Sequence, residues 1–248
     1  MQNSITEIAK KLGSTILLAL VWEAIAYGIN PVPSGSQEQY RPPSCEPRIT
    51  TGRAKCNYEG GDNYEGNLVN GIPNGQGIYV YANGDRYEGQ FRNGRPNGQG
   101  VFIFANDARF EGTFQDGVII RGRVIYETGE IYEGQFGIVQ EVQSGNISSQ
   151  PDGRGRFTYP NGDYYEGEFF AGSPFGQGVF VRADGSRCQG QFFNQGLDAR
   201  GTCSFANGIR YEGELRGGVP HGKGTLIYTD GRRVAGEFRE GRPFDGKK

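Results

Sequence analysis

The sequence predicts an all-β protein: an elongated, single antiparallel meander sheet of tandem 23-residue β-hairpins, preceded by a hydrophobic N-terminal helix. Three observations carry this. Glycine returns at a fixed period. Apolar residues alternate with period two on either side of a polar stretch. Five of the periods close on Asn-Gly or Asp-Gly. A fixed period of this size belongs to a linear array of one supersecondary unit.

Eight glycines, Gly66, Gly89, Gly112, Gly134, Gly167, Gly190, Gly213 and Gly236, each stand two residues after the start of one repeated phrase. The starts fall at 64, 87, 110, 132, 165, 188, 211 and 234. Position 1 is Tyr64, Tyr87, Phe110, Tyr132, Tyr165 or Tyr211, with Cys188 and Val234 as exceptions. Position 5 is always Leu or Phe, and positions 16 and 18 are mostly apolar. Period-two apolarity is strand chemistry, because alternate side chains share a face.

Each unit therefore reads as two strands around a polar loop such as Asn93-Gly94-Arg95-Pro96-Asn97-Gly98. Asn83-Gly84, Asn161-Gly162, Asp184-Gly185, Asn207-Gly208 and Asp230-Gly231 suit type I′ turns that join one unit to the next. Pairing around the longer loop sets position 1 opposite 18, 3 opposite 16 and 5 opposite 14. Eight hairpins give about 16 strands. Each structural glycine then opposes a large residue, leaves room for a ring and lets the strand bend into a trough. The other face carries Arg86, Arg109, Arg187, Arg210 and Arg233 beside Glu65, Glu88, Glu111, Glu133, Glu166 and Glu212. These predict solvent-facing, cross-strand Arg–Glu ladders of about 0.2–1 kcal/mol per pair.

Composition narrows the function. Glycine is 43 of 248 residues. Unphased, that content would indicate disorder; phased to turns and strands, it indicates a folded array. The net charge of −2 and the absence of a basic stripe argue against nucleic acid as a partner.

Residues 1–29 depart from the repeat. Lys10 and Lys11 precede an apolar run from Leu12 to Trp22, followed by Glu23 and Ala24-Ile25-Ala26. Three readings stand: a cleaved signal peptide, a retained membrane anchor over residues 12–29, and a helix packed on the end of the sheet. Residues 30–50 are a Pro/Ser/Gln-rich linker by composition. Residues 51–248 form the array, which begins with a degenerate half-repeat.

The four cysteines allow disulfides in an exported chain. Cys188 and Cys203 take positions 1 and 16 of one unit, as inward diagonal neighbours. Cys45 and Cys56 form the second candidate pair, Cys45–Cys56 beside Cys188–Cys203; buried thiols are the alternative. The cysteine spacing does not suit zinc, and no metal or cofactor is implied.

His221 lies in a predicted loop with no nucleophile nearby. Gly217–Gly224 mimics a phosphate loop, but Gly224 stands where Ser or Thr would be needed. No catalytic residue is assigned. The fourth unit is irregular, with 18 residues between Phe136 and Gly155 where a regular unit has 8. This insertion, 137–154, includes an Asn146-Ile147-Ser148 sequon.

The phrase Y-E-G-x-F-x-x-G-x-x-x-G-x-G, then a short strand and N-G-D, resembles the membrane occupation and recognition nexus (MORN) repeat. Tyr64–Arg86, Tyr87–Arg109, Tyr165–Arg187 and Tyr211–Arg233 are the best copies. The resemblance implies scaffolding, dimerisation, membrane-associated organisation and, in some members, contact with phospholipid headgroups.

Two functions follow. The first is a non-catalytic scaffold or protein-interaction rod, exported or membrane-associated through residues 12–29, with a homodimer permitted. The second is a binding module for phospholipid headgroups or envelope glycans. Both place the candidate binding groove at Tyr64, Tyr87, Phe91, Phe114, Tyr165, Phe169 and Tyr211, on the condition that these trough aromatics are partly exposed. The expected location is periplasmic or extracellular, or at a membrane, with the cytoplasm as the alternative. The protein partner is not identified by the sequence.

Overall fold

In the computed structural model, residues 42–140 and 147–245 are described. They form eighteen strands, and no helix occurs among the described residues. The predicted N-terminal helix and the sequon at Asn146 lie outside them. Two compact units divide the chain, one ending at Gln150 and the other starting at Pro151.

The first unit contains β1 (Ser44–Glu46), β2 (Gly52–Asn57), β3 (Asn63–Val69), β4 (Ile72–Val80), β5 (Arg86–Arg92), β6 (Arg95–Ile103), β7 (Arg109–Gln115), β8 (Val118–Ile125) and β9 (Ile131–Gln140). β10 (Ile147–Thr158) leads into the second. There follow β11 (Tyr164–Phe170), β12 (Ser173–Val181), β13 (Arg187–Phe192), β14 (Ala199–Ser204), β15 (Arg210–Arg216), β16 (Val219–Ile227), β17 (Arg233–Arg239) and β18 (Arg242–Phe244). Within each unit every strand pairs antiparallel with its sequence neighbour, the meander expected from the repeat. β1 falls inside the stretch that composition assigned to the linker. Cys45 holds it opposite Cys56 on β2.

The two kinds of turn are exchanged relative to expectation. Asn93 and Gly94 have φ of 51° and 79°. Positive φ at both residues makes this the type I′ turn, joining β5 to β6. Arg95 to Gly98, predicted as loop, is strand. At the other end Asn83-Gly84 belongs to a longer loop. Gly84 N–H donates to Tyr81 O at 2.9 Å and Tyr81 N–H to Asp85 O at 2.8 Å. Only Gly84 of that pair has positive φ, so this is a type I turn followed by a bulge residue.

Register changes accordingly. Tyr87 lies opposite Phe102, Gly89 opposite Gly100 and Phe91 opposite Pro96. Position 1 therefore faces 16, 3 faces 14 and 5 faces 10. The expected pairing was off by two residues at positions 1 and 3 and by four at position 5, because the tight turn is at Asn93-Gly94 and β6 carries a bulge within the stretch read as loop. Gly98 bends there at φ 101°. The Gln90 side chain fills the gap, its Oε1 accepting from Gln99 N–H at 3.1 Å.

Glycine thus faces glycine, not a large residue. Gly66, Gly77, Gly89, Gly100, Gly112, Gly122 and Gly134 pair in succession across β3 to β9. Gly155, Gly167, Gly178, Gly190, Gly201, Gly213, Gly224 and Gly236 do the same across β10 to β17. Each unit has a glycine spine perpendicular to its strands.

The position-1 tyrosines lie along this spine. Each folds back over its own position-3 glycine, and its hydroxyl donates to a carbonyl three residues on. The distances are 2.7 Å for Tyr64 to Asn67 O, 3.1 Å for Tyr87 to Gln90 O and 2.9 Å for Tyr165 to Glu168 O. Tyr132 and Tyr211 repeat the bond to Gln135 and Glu214. A Cβ on Gly100 would meet the ring of Tyr87, with Cε2 at 2.7 Å. The missing side chains are therefore the space in which the rings lie, and a single sheet acquires a core without a second layer.

Candidate functional site

The seven groove candidates are the core itself. Tyr64, Tyr87, Phe91, Phe114, Tyr165, Phe169 and Tyr211 are all 4% exposed or less. Tyr87 packs edge-on against Phe91 at 5.0 Å and Phe114 at 5.1 Å between ring centroids. Tyr165 does the same with Phe169 and Phe192 at 5.2 and 4.9 Å. Edge-to-face packing on both sides leaves no ring face free to meet a ligand. This corrects the sequence reading, which located the groove on these rings because register had set large residues opposite the glycines. Burial also pushes the phenols of Tyr64, Tyr87 and Tyr165 above their ordinary range, and that of Tyr211 up to about 12.

The polar groups that repeat are likewise engaged, stitching one repeat to the next at both ends of the hairpins. At the long turns, Asp62 Oδ1 accepts Ala82 N–H at 2.8 Å, and Asp85 accepts Ala105 N–H at 2.9 Å. Asp163 and Ser186 serve Ala183 and Ala206 in the same way. At the type I′ turns, the glycine N–H donates to the position-10 carbonyl of the preceding repeat. Examples are Gly94 to Pro73 and Gly117 to Pro96, at 2.9 and 3.0 Å. Proline suits position 10 because the ladder asks for its carbonyl and needs no N–H from it.

The structure joins Cys45 to Cys56 and Cys188 to Cys203. Cys188 and Cys203 are directly opposed, not diagonal, as the shifted register requires. They take the place that a tyrosine and its aromatic partner fill in other repeats. The next type I′ turn closes over this gap: Gly218 lies against the Phe180 ring, and Arg182 Nη2 donates to the Gly217 and Gly218 carbonyls at 3.3 and 3.2 Å.

His221 is on β16, not in a loop, and its carbonyl accepts from the Tyr211 hydroxyl at 3.3 Å. Gly217 to Gly224, the phosphate-loop mimic, is a type I′ turn leading into that strand. Of the predicted cross-strand ladder, Glu65 pairs with Arg53 and Lys55 and Glu212 with Arg233; Arg86–Glu88 and Arg109–Glu111 instead pair along one strand, and Arg123, outside the predicted set, pairs with Glu133. No group of three or more metal-ligating side chains occurs among the described residues.

What the sequence reading missed is on the outer face. Phe170, Phe175 and Phe193 are 63%, 46% and 51% exposed. Phe170 and Phe193 hold position 6, where the other repeats carry Val69, Arg92, Gln115, Gly137, Arg216 and Arg239. A large aromatic at an outward position, next to a buried position 5, was the available signal.

The family model described as MORN repeat matches residues 64–86, 87–109, 149–164, 165–187 and 211–232. No curated protein matches the sequence. Among solved structures, the chain is similar to the TCP domain of SAS-4 (dCPAP) of Drosophila melanogaster, solved with a proline-rich motif of Ana2 (dSTIL). That match has 13% identity and a TM-score of 0.39, and covers 85% of this chain and 97% of that one. A mutant TCP10 domain of Danio rerio CPAP matches at 13% identity and TM-score 0.30, covering 79% and 95%. Scores this low imply nothing about role. The tandem repeat matches do: the chain belongs to the MORN-repeat family.

Proposed function

We propose that this MORN array is a non-catalytic scaffold for protein interaction, exported or held at a membrane through its N-terminal segment. One observation carries the reading. The repeated rings, hydroxyls and turn carboxylates are used up in building the array, while exposed outward positions differ from repeat to repeat. A fixed frame bearing variable surface positions is suited to recognition, not to chemistry. Headgroup or glycan binding through the inner rings is not carried forward, because those rings are enclosed. The two disulfides and the apolar run from Leu12 to Trp22 support an oxidising compartment.

The test is fractionation of the full chain and of a form beginning at residue 42, with thiol alkylation and N-terminal sequencing of the mature protein. Export or membrane retention that depends on residues 1–41, with no alkylatable thiol in the native protein, is the expected result. A full chain left in the reducing cytosol with four reactive thiols would overturn the proposed location.

A further inference from the structure

Position 6 of four consecutive repeats reads Phe170, Phe193, Arg216 and Arg239. The preceding residues, Phe169, Phe192, Leu215 and Phe238, are buried. Strand alternation therefore places all four on the outer face, next to the turns that close the hairpins. Phe175 joins the aromatic end, its ring centroid 5.9 Å from that of Phe170. Arg242, opposite Arg239 on β18, joins the basic end.

The three arginines are exposed, and none forms an ion pair among the described residues. Arg239 instead lies over the Phe244 ring at 3.8 Å. Asp198, between the aromatic and basic ends, is bound to its own loop through Asn194 at 3.0 Å. Glu168 and Glu214, also nearby, accept from Gln177 N–H and Lys223 N–H across their bulges.

We propose that this strip, aromatic at one end and basic at the other, docks an extended peptide segment with apolar side chains at one end and carboxylates at the other. Six strand spacings separate β11 from β17, about 29 Å at ~4.8 Å each. An extended chain covers that distance in about nine residues. Unpaired guanidiniums select carboxylates, and the exposed rings supply the apolar contact. A flat anionic membrane would also have to cover Glu237 and Glu240, exposed beside Arg239, whereas a single peptide chain need cover only the row itself. This deepens the scaffold reading and rests on it.

The test uses the full, oxidised chain and fluorescent peptides of about twelve residues. One probe carries a Leu/Phe half and a Glu half, made in both orders. A second replaces Glu with Lys, and a third replaces the apolar half with Ser. Vesicles of phosphatidylcholine with phosphatidylserine form the last arm.

The Glu/apolar probe is expected to bind in one order. Phe170→Ser with Phe193→Ser, and separately Arg216→Glu with Arg239→Glu, should each weaken it by about tenfold or more. The Lys probe should bind the charge-reversed protein better than the wild type. Unchanged melting curves would show that these outward substitutions leave the fold intact. Equal binding of Glu and Lys probes, or binding unmoved by the Phe substitutions, overturns the proposal. So does vesicle binding that these substitutions abolish where peptide binding is absent. Fractionation does not depend on the strip, so failure here is separable from failure of the scaffold reading.

Discussion

Replacing Gly100 with Ala tests the central packing claim. Gly100 carries no positive φ that would strain an alanine, so the effect is one of space. Its Cβ would meet Oη, Cζ and Cε2 of Tyr87, the last at 2.7 Å. The flanking Phe91 and Phe114 leave the ring nowhere to slide within the core. Tyr87 must therefore leave it. Tyr87 is 0% exposed. A ring of this size buries about 200 Å², and at ~25 cal/mol/Å² that is roughly 5 kcal/mol. Losses for large core side chains run about 3–5 kcal/mol, so that is the expected cost.

Gly236→Ala is the internal control. It also belongs to the glycine spine, at position 3 of a repeat in which Val234 replaces the tyrosine, and no atom lies within 4 Å of the added Cβ. It should cost less than about 0.5 kcal/mol. In a Tyr87→Val background, where the distal ring atoms are gone, Gly100→Ala should cost under about 1 kcal/mol. Urea unfolding followed by circular dichroism measures these values. Amide exchange in β5 and β6 should show the loss as local opening, since a linear array can melt repeat by repeat. If Gly100→Ala is as mild as Gly236→Ala, or if its cost is additive with Tyr87→Val, the ring-over-glycine argument is refuted.

Tyr165→Phe removes only the hydroxyl bond to Glu168 O and should cost about 0.5–1.5 kcal/mol in the same urea assay. Asp163→Ala leaves Ala183 N–H without its 2.9 Å acceptor. A loss of about 1–3 kcal/mol is expected, with faster amide exchange at Ala183. Cys188→Ala with Cys203→Ala opens a link of sequence separation 15 and should cost about 3 kcal/mol, read as a lower urea midpoint; an unchanged midpoint would deny the bond a stabilising role. The buried tyrosines set an alkaline limit. Their folded pKa lies above the ordinary 10.0, at about 12 for Tyr211 and higher for Tyr64, Tyr87 and Tyr165, so folding favours the protonated ring. That stabilisation is complete below pH 10.0, and the part due to Tyr211 is lost as pH rises toward 12. Urea midpoints measured against pH should be flat at neutrality and fall across this window, and Tyr211→Phe should lessen the fall.

The sequence by itself determined that the chain is a β-meander of repeated hairpins, because strand alternation and glycine-bearing turns are local properties. It also marked Cys188 and Cys203 as inward neighbours, since both hold apolar repeat positions. It could not say which Asn-Gly closes the two-residue turn. Asn83-Gly84 and Asn93-Gly94 are the same dipeptide, and the choice depends on the bulge at Gly98 and the bonds around it. That one choice moves register by two residues at positions 1 and 3. It turns glycine opposite ring into glycine opposite glycine, and moves Tyr64, Tyr87, Phe91, Phe114, Tyr165, Phe169 and Tyr211 from groove to core. The repeat register already aligns Phe170, Phe193, Arg216 and Arg239 at position 6, but only the tertiary structure shows which of their neighbours across strands leave them exposed, because those neighbours are fixed by pairing, not by distance along the chain.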